Sequence, residues 1–310
     1  MLTRKSVVLA KIEANYGVDP TPTVAANALL VSDVDLKPAG ETLERNYLKS
    51  SLSQQQFRRG LKWYEVTFKS ELKGTGTRGV LPAFGWEGPL FRACGLSETV
   101  TAATSIVYAP VSTSFESVAL YVYRDGIFHK VLGSMGSAKM VFEVGKIPMV
   151  EWKFIGIYAA PTDAVPAAQT FSSVSPSTCL SASFTIGGYS AIIEKLELDI
   201  NNTTTQRKSM NAATGIVGMT ISGRSPQGSF DPEAVVEATH AFWNEWELAT
   251  AVALNIGPLG ASAGNIVQIA APKVQYREIS YGDRNGQLTY QIPIALAMNA
   301  GDDELTITIT

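Results

Sequence analysis

The chain has 310 residues, 45% of them hydrophobic and only 17% charged, with a formal net charge of −3. That length suits one large domain or two ordinary ones, and the acidic balance predicts no electrostatic grip on nucleic acid, which needs a clustered basic surface. The two cysteines, Cys94 and Cys179, match no metal or redox spacing and read as reduced thiols.

The opening stretch MLTRKSVVLAKIEANYG starts basic but carries only about five apolar residues before Lys11, too few for a secretory signal. No apolar run approaches the ~20 residues of a membrane span, so the expected place of synthesis and residence is a cytoplasm. GVDPTPTVAANALL follows, where Asp19-Pro20 and Thr21-Pro22 predict an extended arm over residues 1–30, because proline restrains itself and its predecessor.

LKWYEVTFKSEL (61–72) sets Tyr64, Val66 and Phe68 against Glu65, Thr67 and Lys69, the period of a strand. LPAFGWEGPLFRACGL (81–96) predicts a short helix ending at Gly95 and interrupted by Pro89. SVALYVYRDGIFHKVL (117–132) places Asp125-Gly126 between two β-rich runs, a hairpin signal. KMVFEVGKIPMVEWKFIGIY (139–158) gives two more strands around Gly145, with Met140, Phe142 and Val144 on one face and Val150, Trp152 and Phe154 on another.

PTDAVPAAQTFSSVSPSTCL (161–180) is rich in Pro, Ser, Thr and Ala and reads as a linker. Beyond it, KLELDI (195–200) and GIVGMTISGR (215–224) alternate as strands. FDPEAVVEATHAFWNEWELATAV predicts the strongest helix, with Asp231 as N-cap, Pro232 at the first position, and an apolar stripe including Val235, Phe242 and Trp246. NIVQIAAPKVQYREIS, the turn YGDRNG and QLTYQIPIALAM predict a long hairpin, and LTITIT a last strand. Each half thus reads as strands, a helix, then a long hairpin: 31–72, 81–96 and 115–158, then 191–224, 232–250 and 265–310. The shared order points to two copies of one α+β unit.

Three stretches invite a chemical reading. GSMGSAK (133–139) looks like a phosphate loop, but it lacks the GxxxxGK[ST] spacing and precedes a strand, so a hairpin loop is expected; GTGTRG (74–79) reads likewise. GASAG (260–264) matches the nucleophile-elbow pattern around Ser262, yet no helix is expected after it, and only His129 and His240 are present as bases. No HExxH, His/Cys cluster or calcium loop occurs. Trp243 and Trp246 have the residue type to stack a sugar or base, although helical spacing favours a packing stripe. No catalytic residue, metal site or cofactor is expected.

Several stretches taken together, YGVDPTPTVAANALLVSDVDL, LERNYLK, LFRACGL, GSAKMVFEVGKIPMVEWKFIGIY and ISGRSPQGSFDPE, resemble the major tail (tail tube) proteins of bacteriophages with long non-contractile tails. The resemblance implies an α+β, mostly β fold. It has two tandem β-sandwich or barrel-like tube domains, each with a flanking helix, whose inner strands join a ring-wide β-barrel. The corresponding division is an arm (1–30), a first tube domain (31–160), a linker (161–180) and a second tube domain (181–310). The resemblance implies a structural virion protein, not an enzyme. It would form trimeric rings of pseudo-sixfold symmetry, stacked into a tube through which double-stranded DNA passes without specific binding. The implied partners are further copies of the chain and the tape measure, tail terminator and distal tail proteins; the implied location is the virion tail, assembled in the host cytoplasm. On this reading Tyr16, Asp19, Pro20, Thr21, Pro22, Glu44, Arg45 and Arg78 belong to ring-stacking arm and loops. Met140, Phe142, Val144, Trp152, Phe154, Leu288, Tyr290 and Ile292 mark barrel strands, while Phe242, Trp243 and Trp246 pack the helix. The competing expectation is a β-rich binding module, carbohydrate-binding or adhesin-like, with the two tryptophans exposed.

Overall fold

The computed structural model describes residue 2 and residues 4–310. The first half contains β1 (Ser6–Ile12), α1 (Val24–Asn27), β2 (Ala28–Leu29), β3 (Val31–Leu43), β4 (Arg58–Glu71), α2 (Gly88–Ala93), β5 (Leu96–Thr101), β6 (Ser105–Pro110), β7 (Val118–Arg124), β8 (Ile127–Glu143) and β9 (Met149–Tyr158). The second contains β10 (Thr162–Asp163), β11 (Thr185–Ile186), β12 (Ile193–Asp199), β13 (Asn202–Lys208), β14 (Ile216–Arg224), β15 (Gln227–Pro232), α3 (Phe242–Glu247), β16 (Val252–Leu259), β17 (Val267–Tyr276), β18 (Ser280–Arg284), β19 (Gln287–Ala297) and β20 (Thr306–Ile309). The fold is mostly β, as its alternating stretches predict.

One antiparallel run organises the molecule. β3 pairs β4, β4 pairs β9 and β9 pairs β8. The order then repeats, because β12 pairs β15, β15 pairs β19, and β19 pairs β17 and its continuation β18. The two four-stranded sets are stitched side by side where β12 lies along the C-terminal part of β8, with Leu196 opposite Phe142 and Leu198 opposite Met140. Along β4, β9, β8, β12, β15, β19 and β17 one face is apolar and buried, as for Tyr64, Val66 and Phe68 on β4 and Tyr290, Ile292 and Ile294 on β19, whereas the end strands β3 and β18 are largely uncovered. These residues share one core with β1, β6, β7, β16, β20 and α2, where Phe91 meets Trp152 at 4.8 Å between ring centroids.

Residues 161–180, read as a linker, do not separate two bodies. β8 joins β12, and β20 pairs both β17 of its own half and β6 of the first. The expected arm over residues 1–30 likewise meets a different arrangement in its first part (residues 1 and 3 lie outside the described residues). SVVLAKI is β1, paired along its whole length with β7, and Val8 and Leu9 are fully buried.

Two further expectations are corrected. Gly133–Lys139 is no loop: β8 runs straight through it with a bulge, and the hairpin turn lies beyond Glu143. Gly136 is needed there because a Cβ would sit 2.1 Å from the Lys153 carbonyl oxygen on β9. The long helix from Asp231 shrinks to α3. Asp231 and Pro232 end β15, and the Asp231 carboxylate accepts from the Glu194 and Lys195 amides of β12 at 3.0 and 2.7 Å, so it fastens strands instead of capping a helix. α2 does form, but Pro89 lies in its first turn, where a missing N–H costs nothing.

Candidate assembly surface

The eight-stranded run has a second face, built by the residues that alternate with the core. On β4 it carries Glu65, Thr67 and Lys69; on β9, Glu151 and Lys153; on β8, Ser137, Lys139 and Glu143; on β12, Lys195, Glu197 and Asp199; on β15, Ser229 and Asp231. Its charges are largely neutralised within the face. Lys69 lies 2.9 Å from Glu151 and 3.7 Å from Asp33, Lys139 lies 2.7 Å from Glu197, and Arg284 lies 2.8 Å from Asp231. Burial opposes ionisation of Glu197, but hydrogen bonds from Lys139 and Lys195 outweigh it and hold the carboxyl below its usual range. A surface of this kind offers a polyanion neither a basic stripe nor an uncompensated acidic one.

At one end of this face the β13–β14 hairpin crosses the first half. Ile216, Met219 and Ile221 pack on Met135, Leu61, Trp63 and Ile155. Tyr16 is built into that junction: its hydroxyl donates to the Gly133 carbonyl at 2.9 Å and accepts the Met219 amide. Burial, the largest influence, raises its pKa. Asn202, at the start of β13, donates to the Cys94 and Gly136 carbonyls at 2.6 and 2.9 Å.

The other residues singled out from sequence fall into four groups. Asp19 accepts from Tyr121 and Lys130 and from the Thr21 amide, and these bonds outweigh its desolvation and hold its carboxyl low. Pro22 is buried, and the Pro20 carbonyl accepts from Lys11. Glu44, Arg45 and Arg78 lie on loops: Glu44 and Arg78 are exposed, and Arg45 rests over the Tyr47 ring. Met140, Phe142, Trp152, Phe154, Tyr290 and Ile292 do lie on strands of the shared run, but on its core face; Val144 and Leu288, at the hairpin ends, are exposed. Phe242 is fully buried, the Trp243 indole donates to the Tyr290 hydroxyl at 3.3 Å, and Trp246 is 41% exposed with its indole donating to the Arg277 carbonyl.

The two glycine motifs that suggested chemistry pack against one another. The Gly74 amide donates to the Asn265 side chain at 2.7 Å and the Gly76 amide to the Gly264 carbonyl at 2.9 Å. A Cβ on Gly264, whose φ is +82°, would meet the Thr77 amide nitrogen at 2.4 Å. Ser262 sits in this turn between β16 and β17, with a strand and no helix after it. His129 is bonded to Tyr64 and His240 faces Glu245, both on other elements. Among the described residues no group of three or more His, Cys, Asp or Glu side chains could hold a metal ion, and no helix is long and apolar enough to cross a membrane.

Both ends of the run are open. Among the described residues β3 pairs only β4 on one side, and β18 pairs only β19. The aromatic residue Tyr281 on β18 is 63% exposed, with Trp243 5.7 Å away between ring centroids. Sequence reasoning passed over Tyr281, Asn202 and Asn265. The alternation of KLELDI marked a strand, but nothing local marks the strand it will pair.

An open-ended, two-faced sheet of this kind is what a self-assembling wall requires, because unpaired strand edges recruit further strands. A search of curated proteins finds no match. A family model described as "Phage tail tube protein" matches residues 3–308, almost the entire chain. The chain belongs to the phage tail tube protein family.

Proposed function

We propose that the chain assembles into rings that stack into a hollow tail tube and conduct DNA along the lumen. The observation that carries this reading is the duplicated four-stranded set, fused edge to edge with one buried and one ion-paired polar face. Each copy supplies eight strands, two sets of four. Three copies then supply 24, and at ~4.8 Å spacing and ~40° tilt such a barrel is roughly 48 Å across at the backbone, wide enough for a ~20 Å duplex after side chains are added. Three chains with two sets each give a trimer of pseudo-sixfold symmetry. The polar face lines the lumen, and its internally paired lysines and carboxylates let DNA slide. The exposed loop bearing Arg78 and the turn at Asp19–Pro22 face the next ring.

The partners on this reading are further copies along the tube and, at its ends and within it, the tail terminator, distal tail and tape measure proteins. The location is the virion tail, after assembly in the host cytoplasm. Function resides in the wall, not in catalysis. The exposed Trp246 and Tyr281 are the one feature that a carbohydrate-binding module would share. Negative-stain microscopy of the purified protein at rising concentration tests the proposal. Rings or tubes with a central lumen are expected; dispersed monomers at every concentration would overturn it.

A further inference from the structure

The turn between β18 and β19 is two residues long, Asn285-Gly286, because Arg284 pairs Gln287 and Asp283 pairs Leu288. Both turn residues have positive φ, +54° and +87°, a backbone that asparagine and glycine enter with least strain. Nowhere else in the chain does glycine follow asparagine. That dipeptide carries chemistry of its own. Glycine has no Cβ to shield its amide nitrogen, and the asparagine side chain holds an amide carbon within five-membered-ring reach of it.

The surroundings leave this reaction open. Asn285 and Gly286 are exposed, and a Cβ on Gly286 would meet nothing within 4 Å. Among the described residues no group bonds the Asn285 side chain. The Gly286 N–H donates to the Asp283 carboxylate at 3.2 Å, so the proton that this nitrogen must lose already has an acceptor. Ring closure needs the turn to rotate out of its left-handed conformation, and little resists that. Among the described residues β18 pairs only β19, and none of its residues is buried. Other asparagines differ on each count. Asn202 and Asn265 are fixed by side-chain hydrogen bonds and precede Thr203 and Ile266, whose β-branches crowd the attacking nitrogen.

We propose that Asn285 is a self-modifying site whose conversion unfastens β18. The Gly286 nitrogen attacks Cγ of Asn285, and the bond from Cγ to the side-chain nitrogen breaks. The Gly286 proton passes through Asp283 to the departing nitrogen, so ammonia leaves, a succinimide remains, and no oxidant or reductant is consumed. Water then opens the ring. Addition at Cγ gives aspartate, and addition at the main-chain carbonyl carbon gives isoaspartate, which lengthens the main chain by one carbon. A two-residue turn sets the register of its strands, so an extra main-chain atom there uncouples Asp283 from Leu288 and Arg284 from Gln287. Both products also place a second carboxylate beside Asp283.

The test holds the full chain, folded, in neutral buffer enriched in heavy-oxygen water and follows it by peptide mapping and enzymatic methylation of isoaspartate. Label and isoaspartate are expected at Asn285 before any other asparagine. Hydrogen–deuterium exchange of the converted fraction is expected to show loss of amide protection over residues 280–284, with the rest of the sheet unchanged. Asp283→Asn keeps an oxygen for the Gly286 amide but removes the base. It is expected to slow conversion about tenfold, less than the loss of an enclosed general base. Asn285→Asp adds the charge without lengthening the chain and should keep β18 protected. Both substitutions fall on exposed side chains, and circular dichroism confirms folding. The site is overturned if Asn285 stays intact or converts no faster than the other asparagines. Unchanged protection over 280–284 after conversion overturns the coupling to β18, and its loss in Asn285→Asp overturns the lengthening account. Conversion of Asp283→Asn at the unaltered rate removes Asp283 from the reaction.

Discussion

Met140 on β8 and Leu198 on β12 lie opposite one another across the seam that fuses the two halves, both fully buried. Side chains so enclosed contribute about 1.5–3 kcal/mol each by removal from water, and their loss also leaves a cavity. Leu198→Ala is expected to destabilise the chain by about 2–5 kcal/mol in urea denaturation. Lys139→Ala, whose ion pair with Glu197 is partly exposed, should cost under about 1 kcal/mol. Equal costs for the two would show that charge, not packing, holds the seam.

The contact between Gly74 and Gly264 leaves no room for side chains. Gly264→Ala puts a Cβ against the Thr77 backbone at a left-handed position, and a loss of about 1–3 kcal/mol is expected. A shifted urea midpoint with unchanged slope is the reading that supports it.

Ser262 shares that turn, but it is exposed, and the two histidines are engaged elsewhere, His129 with Tyr64 and His240 with Glu245. Ser262→Ala should leave stability within about 0.5 kcal/mol and assembly unchanged. Hydrolysis of an activated ester by the unaltered chain, lost in this variant, would revive the nucleophile-elbow reading.

Glu87 is buried beside α2, with one carboxyl oxygen lacking a hydrogen-bond partner. Burial pushes its pKa up to about 7, against a smaller opposing pull from Lys73. The unfolded chain gives up this proton near its ordinary value of 4.5, whereas the folded chain keeps it until about 7. Its contribution is therefore full below the lower value and is lost as pH rises through the upper one. Glu87→Gln should flatten this slope and gain on the order of 1–3 kcal/mol relative to the unaltered chain at pH 8. Parallel stability curves from pH 4.5 to 8 would contradict the assignment.

Removal of residues 1–12 deletes β1, which pairs β7 through its full length and buries Val8 and Leu9. The truncated chain should unfold or melt far below the full one, not merely stack less well. A normal thermal transition after truncation would show that β1 is dispensable to the core.

Much of this architecture could be read from local pattern. The alternation in LKWYEVTFKSEL, KLELDI and QLTYQIPIALAM is satisfied only by strands with one buried face, and Asp125-Gly126 turns the chain where expected, with both residues at positive φ. The similar order of the halves was visible for the same reason. Where the sequence misled, a distant partner decided. The helix signal at Asp231 yielded to β12, whose amides claim the carboxylate, and Gly133–Lys139 became strand because β9 lies against Gly136. Period and turn chemistry act over a few residues and are written locally. Which edge meets which is not: any alternating strand can pair any other, and only the closed core selects β8 for β12 while leaving β3 and β18 open.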